Sequence, residues 1–164
     1  MDESTQIFDQ GGIVTSADLI PGAKELIDTL KDTGYQLALV ADGLTRSFRN
    51  ILTQHNLWDK FDCHIISEEV GYEKPHRAMF LAAAAALGIT DNDFPSVVMV
   101  GNNLKRDIKG ANALGMVSIF LSWTPRYSNI PADSSEVPDY TIAYPLDLLP
   151  LLKRLEGHAS DKGA

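Results

Sequence analysis

The sequence predicts an α/β fold, a mostly parallel sheet of five or six strands with helices on both faces. Three observations carry that prediction. Short runs rich in Val and Ile alternate with segments of helical periodicity along most of the chain, the order expected when a helix joins successive parallel strands. Pro21 and Gly34 bracket the first of the helical segments, with proline at the start and glycine past the end. The 164 residues, 45% of them hydrophobic and 22% charged, suffice for one continuous core and leave hardly any room for a second. The expectation is a single Rossmann-like domain over residues 1–156 and a flexible C-terminal tail over residues 157–164.

Taken in order, the strands are expected at residues 6–8, 36–40, 63–66, 97–100, 118–121 and 140–142. Between Pro21 and Gly34 the apolar residues Leu26, Ile27 and Leu30 recur at helical spacing. Further helices are expected from Thr45 to His55, about His76 to Leu87, about Lys105 to Leu114, and Leu146 to Leu155. The alanines from Ala82 to Ala86 are good helix formers and need no other explanation. From Thr124 to Pro138 the chain is rich in Pro, Ser and Asp without periodicity, which predicts one long surface loop.

Charge and cysteine content exclude several classes of function. The net charge of −8 comes with no block of Lys or Arg, so nucleic acid and anionic membranes are not expected partners. Cys63 is the single cysteine, which excludes an internal disulfide and a thiolate zinc site. The start, MDESTQIF, is acidic and polar where a secretory signal is basic and then apolar, and no apolar run approaches ~18 residues. A cytoplasmic protein is expected.

In an open parallel sheet, ligands bind beyond the carboxyl ends of the strands. Four segments fall there: Phe8-Asp9-Gln10-Gly11-Gly12, Val40-Ala41-Asp42-Gly43, Gly71-Tyr72-Glu73-Lys74-Pro75-His76, and Val100-Gly101-Asn102 running on to Asp107. They would bring Asp9, Lys74, Asn102 and Asp107 to one edge. On the residues alone each has a plainer explanation as well. Asp9 suits a turn after a strand, Lys74 a solvated position before a helix, and Asp107 the first turn of a helix. His55 and His64 fall inside helix and strand patterns, and Trp123, Arg126 and Tyr127 follow the fifth strand.

The four segments, in this order and at this spacing, resemble the motifs of the haloacid dehalogenase superfamily over roughly residues 7–142. Gly71-Tyr72-Glu73-Lys74-Pro75 is similar to the third motif. The stretch from Gly101 through Asp107-Ile108-Lys109-Gly110-Ala111 to Gly115-Met116 is similar to the fourth. The resemblance implies a hydrolase, a phosphatase above all, acting on a phosphorylated small molecule or macromolecule. Asp9 would be the nucleophile that forms an aspartyl phosphate, and Lys74 would pair with Asp9 and the phosphoryl oxygens. Mg²⁺ would be held among Asp9, Gly11, Asn102 and Asp107, with Gly11, Ala41, Asp42, Gly43 and His76 lining the substrate. Only about a dozen residues separate Asp9 from Pro21, which implies no cap domain and an open site. A large substrate or a second copy of the chain would then have to cover it.

Three positions depart from the pattern. Gly11 stands where the family's phosphatases carry a second aspartate, the proton shuttle worth ~10² to 10⁴ in rate. Ala41 replaces a hydroxyl donor whose loss costs about 10² or more. Asn102 removes one negative charge from the metal site and predicts weak Mg²⁺ binding. Family members that cleave carbon–halogen or carbon–phosphorus bonds also lack the second aspartate, but they rely on caps. The expected activity is therefore a phosphatase of low or impaired turnover. The alternative is a non-catalytic phosphate- or protein-binding module on the same fold.

Overall fold

Strand and helix alternate in the computed structural model, which describes residues 7–8 and 12–161. Asp9, Gly11 and the proposed tail's residues 162–164 lie outside the described residues. The strands are β1 (Ile7–Phe8), β2 (Val14–Ser16), β3 (Ala38–Ala41), β4 (Cys63–Ile66), β5 (Val98–Gly101), β6 (Val117–Leu121) and β7 (Tyr140–Ile142). The α-helices are α1 (Ala23–Asp32), α2 (Thr45–Gln54), α3 (Ser67–Val70), α4 (Arg77–Ala86), α5 (Lys109–Ala113) and α6 (Leu148–Asp161). One π-helical turn, Leu104–Ile108, leads directly into α5.

Five strands form parallel ladders, as the alternation predicts, but not one continuous sheet among the described residues. β3 pairs with β4, and β5 with β6 and then β7, all parallel. β1 departs from the expectation, because it pairs antiparallel with β2 and joins neither parallel ladder. The reason lies in how β2 is held. Val14 N–H donates to Ser47 Oγ at 2.9 Å and the Asn50 amide donates to Val14 O at 3.2 Å. Ala17 N–H reaches Gln54 Oε1 at 3.3 Å, and a His55 ring nitrogen lies 2.7 Å from Ala17 O. These bonds lay residues 14–17 along α2, and β1 pairs with that segment.

The core shows two helical layers. Val98 and Val100 pack with Leu26, Leu30, Leu148 and Leu151 of α1 and α6. Val97 and Met99, of opposite parity, pack with Met79, Phe80 and Ala84 of α4. Side chains alternate across a strand, so the two sets lie on opposite faces of the ladder. β6, paired on both edges, buries Ser118, Ile119 and Phe120 almost completely. β5 is half-buried along its whole length, and so is most of β3. An apolar cleft of about 540 Å³ is walled by both of these strands.

Smaller expectations are also revised. Helix α1 begins at Ala23 with Gly22 (φ 84°) as its N-cap, so Pro21 precedes the helix and does not open its first turn. Helix α6 runs to Asp161, past the expected fraying at Glu156. The segment after Thr124 is no free loop: its turn Ser134–Glu136 buries Glu136, which accepts from Ala132 N–H at 2.9 Å, and the Asn112 amide donates to Ser135 O and Val137 O. No helix among the described residues is long and apolar enough to cross a membrane.

Candidate functional site

Lys74 closes the carboxyl ends of β3 and β5. Its ammonium donates to Val40 O in β3 at 2.9 Å and to Asp107 Oδ1 at 2.7 Å. Both side chains are largely buried, Lys74 at 11% and Asp107 at 6% exposure. Asp107 is in turn seated against the last residue of β5. A Cβ on Gly101 would lie 2.2 Å from Asp107 Oδ2, closer than any side chain allows, so only glycine at 101 lets the carboxylate fold back over the strand end. The same Oδ2 accepts from Asn103 N–H at 3.1 Å, and the Asn103 side chain accepts from Lys105 and Arg106 N–H groups at the helix start. That cap satisfies two of the turn's orphan donors and fixes where Asp107 begins.

A second carboxylate sets the position of the lysine. Asp42 Oδ1 accepts from the backbone N–H of Lys74 at 2.9 Å, while Oδ2 pairs with Arg106 at 3.2 Å. Asp42 therefore links the turn after β3, the loop ahead of α4 and the helix after β5. Gly43 N–H donates to Ser67 Oγ at 2.8 Å, and Thr45 N–H to a Glu68 carboxylate at 2.8 Å, which caps α2 from the side of α3. Lys74 has three ammonium donors, and two are used among the described residues.

Of the residues singled out in the sequence, Lys74, Asp107, Asp42 and the backbone at residue 43 converge at this edge. Ala41 ends β3 and is buried. No hydrogen bond joins the Asn102 side chain to another described residue. His76 caps α4, its Nδ1 accepting from Ala78 N–H at 3.1 Å, and its exposed ring stacks on Tyr72 at 3.8 Å. His55 and His64 are satisfied structurally, His64 by Trp58 O at 2.7 Å and by stacking on the Trp58 ring. Arg106 is a member of the site that the sequence does not single out; its partner is 64 positions away, although it sits one residue before Asp107.

Magnesium takes six oxygen donors, usually several waters with one or two carboxylates. Among the described residues no group of three or more His, Cys, Asp or Glu could hold a metal ion. Both oxygens of Asp107 are already bound, by Lys74 and by Asn103 N–H. The described residues do not fit a magnesium site by themselves.

Residues 5–121 match the model of the haloacid dehalogenase-like hydrolases. The chain belongs to that family. It is 33% identical over 138 residues to a glyceraldehyde 3-phosphate phosphatase of Methanopyrus kandleri, covering 84% of this chain and 56% of the relative. It is 31% identical over 143 residues to the Pyrococcus furiosus protein of the same name, covering 87% and 57%. A solved haloacid dehalogenase-type phosphatase from Thermococcus onnurineus superposes with a TM-score of 0.72 at 27% identity, covering 83% of this chain and 59% of that one. The chain thus spans little more than half the length of the relatives it matches.

Proposed function

We propose that this member of the haloacid dehalogenase-like family carries the phosphoryl-binding part of a phosphatase site with low intrinsic turnover. One observation supports it above the others: the Lys74 ammonium is held between Val40 O and Asp107 at the carboxyl ends of two parallel strands, with a third donor to offer a phosphoryl oxygen. The curated relatives named as phosphatases fit the same reading.

In this reading Lys74 neutralises the phosphoryl charge, Asp42 fixes the lysine's backbone, and Arg106 holds Asp42 in place. Asp9 is the proposed nucleophile, attacking phosphorus to form an aspartyl phosphate as the alcohol leaves; water then cleaves the acyl phosphate and returns the carboxylate. Gly11 and Ala41 withhold a proton shuttle and a hydroxyl donor, which keeps turnover low. Weak Mg²⁺ binding belongs to the same proposal and depends on Asp9 as the second carboxylate. The substrate is a phosphorylated small molecule, and the site of action the cytoplasm.

Buried Ala41, in place of a donor at the end of β3, favours a second reading in which the edge binds phosphate or a protein without hydrolysing it. Hydrolysis of an aryl phosphate, with and without Mg²⁺, separates the two. The expected result is slow turnover that Lys74→Ala and Asp9→Asn each abolish. Phosphate binding without Asp9-dependent turnover, even in a folded Gly11→Asp, Ala41→Thr, Asn102→Asp triple variant, establishes the binding module instead.

A further inference from the structure

Two aromatic rings flank Lys74 in sequence and meet in space. Tyr72 lies two residues before the lysine and His76 two after it; their rings stack at 3.8 Å between centroids, 14° from parallel. The chain reverses between them, with His76 N–H donating to Glu73 O at 2.9 Å, and each Cα is at most about 7.6 Å from that of Lys74. The turn does not need the stack to hold its shape. Asp42 accepts from Lys74 N–H, Val40 O and Asp107 hold the ammonium, and the Arg106 guanidinium reaches Glu73 at 4.0 Å. Nor does the stack serve the core, since Tyr72 is 52% exposed and belongs to none of the apolar clusters among the described residues. The pair is nevertheless fixed in place. His76 Nδ1 accepts from Ala78 N–H at 3.1 Å, which sets the ring's orientation and leaves the proton of the neutral imidazole on Nε2. Among the described residues neither Nε2 nor the Tyr72 hydroxyl has a hydrogen-bond partner. A flat, preset aromatic surface with two donors to spare therefore stands beside the lysine that offers its third donor to a phosphoryl group.

We propose that the Tyr72–His76 stack is the leaving-group shelf of the Lys74 edge and selects phosphate monoesters of planar aromatic alcohols over aliphatic ones. The proposal rests on the phosphoryl reading of Lys74 and adds a substrate class to it. With the phosphoryl group on the ammonium, a ring attached directly to the ester oxygen comes within reach of the shelf. Contact between aromatic rings adds to the gain from buried area and is worth about three- to tenfold in affinity. Tyr72 and His76 are ordered before a ligand arrives, so little side-chain entropy is lost when one binds. A saturated ring of the same size covers a similar area but offers no planar face. The difference between the two rings therefore isolates stacking from simple burial.

NMR titration of the full chain with inorganic phosphate, benzylphosphonate and cyclohexylmethylphosphonate tests it without turnover, because both phosphonates carry carbon in place of the ester oxygen. The expected result is that all three move the amides of Asp42, Gly43 and Lys74, and that benzylphosphonate binds about three- to tenfold more tightly than its saturated counterpart. That preference persists in Tyr72→Phe and falls to about 1 in Tyr72→Ala. It shrinks in His76→Asn, which keeps an acceptor for Ala78 N–H but removes the ring that backs Tyr72. Equal affinities of the two phosphonates for the unaltered chain overturn the shelf and leave the phosphoryl reading standing. A preference that survives Tyr72→Ala puts the ring contact elsewhere and overturns it as well. Weakening of phosphate and both phosphonates by one common factor in Tyr72→Ala makes the stack a brace for the turn, which also overturns it. If phosphate moves none of the three amides, the phosphoryl reading of Lys74 falls and takes the shelf with it.

Discussion

Two lysine–aspartate pairs stand at opposite ends of β3. Lys31 meets Asp62 at 2.6 Å beside the strand's amino end, where Leu37 N–H also binds the carboxylate. Lys74 meets Asp107 at 2.7 Å at the carboxyl end. The distances are nearly equal, yet the first pair is about one-third exposed, at 33% and 34%, and the second is mostly buried. Contact distance therefore says little about the energetic consequence of either pair; solvent access decides it. Water screens and partly replaces the partner at the amino end, while a charge left alone at the carboxyl end has no such substitute.

Breaking the buried pair is the largest expected effect. Lys74→Ala leaves Asp107 with Asn103 N–H and no cation, and the expected loss is about 3 kcal/mol of unfolding free energy. Denaturant titration measures it. Lys74→Met combined with Asp107→Leu recovers a substantial part, because both charges go together, though Asn103 N–H is then left without its acceptor. A loss below about 1 kcal/mol for Lys74→Ala would show that water reaches the carboxylate and would erase the contrast with Lys31.

Gly101→Ala sharpens the same contrast without touching a charge. The new methyl meets Asp107 at its Oδ2, Cβ and Cγ within 2.4 Å, so the carboxylate must leave the strand end. Overpacking of this kind costs about 1 to 3 kcal/mol. Because the displaced Asp107 also releases Lys74, Gly101→Ala and Lys74→Ala together should cost less than the sum of the two single changes. Strict additivity in a double-mutant cycle would mean that the glycine and the ion pair are independent.

These residues also show what a sequence reveals and what it hides. Lys74 and Asp107 are legible because each belongs to a local pattern of turn and helix start, and parallel-strand topology brings such turns to one edge. Arg106 and its pairing with Asp42 are not, since that pairing depends on how two turns 64 positions apart are brought together. The alternation of strands and helices is legible from periodicity. The break between the β3 and β5 ladders among the described residues is not, because an apolar run has the same composition whether its edge is paired, as in β6, or open. β2 escapes notice as a three-residue strand whose position depends on Ser47, Asn50 and Gln54 of α2. Buried Glu136 escapes notice as well, its acceptor bond to Ala132 N–H being invisible in a Pro- and Ser-rich segment.

Asn102→Asp adds a carboxylate near Asp107, and its expected effect is smaller. If the proposed metal site forms, Mg²⁺ affinity rises about ten- to a hundredfold, the scale of one added charge a few ångströms from a cation after desolvation. Calorimetric titration of the two proteins decides it, and equal affinities remove residue 102 from metal binding.

The smallest effect is expected at the exposed pair, and pH isolates it. The Lys31 ammonium, hydrogen-bonded to Asp62, holds that carboxyl below the usual carboxylate range, and Leu37 N–H adds to the effect while modest burial opposes it. A carboxyl depressed in the folded state binds its proton at higher pH when unfolded, near 3.9 for aspartate. The pair therefore contributes its full stabilisation above that value and loses it as pH falls through the lower folded value. Asp62→Asn retains an oxygen that can accept from Leu37 N–H but abolishes the titration, so its stability profile should run parallel to wild type above about pH 5. There it should lie lower by less than about 1 kcal/mol, and the two profiles should converge in acid. Lys31→Met should give only part of that loss, because the Leu37 bond still lowers the carboxyl. A gap that stays constant from neutral pH into strong acid would place the effect in packing and not in charge, and the amino-end pair would then have no electrostatic role to set against Lys74 and Asp107.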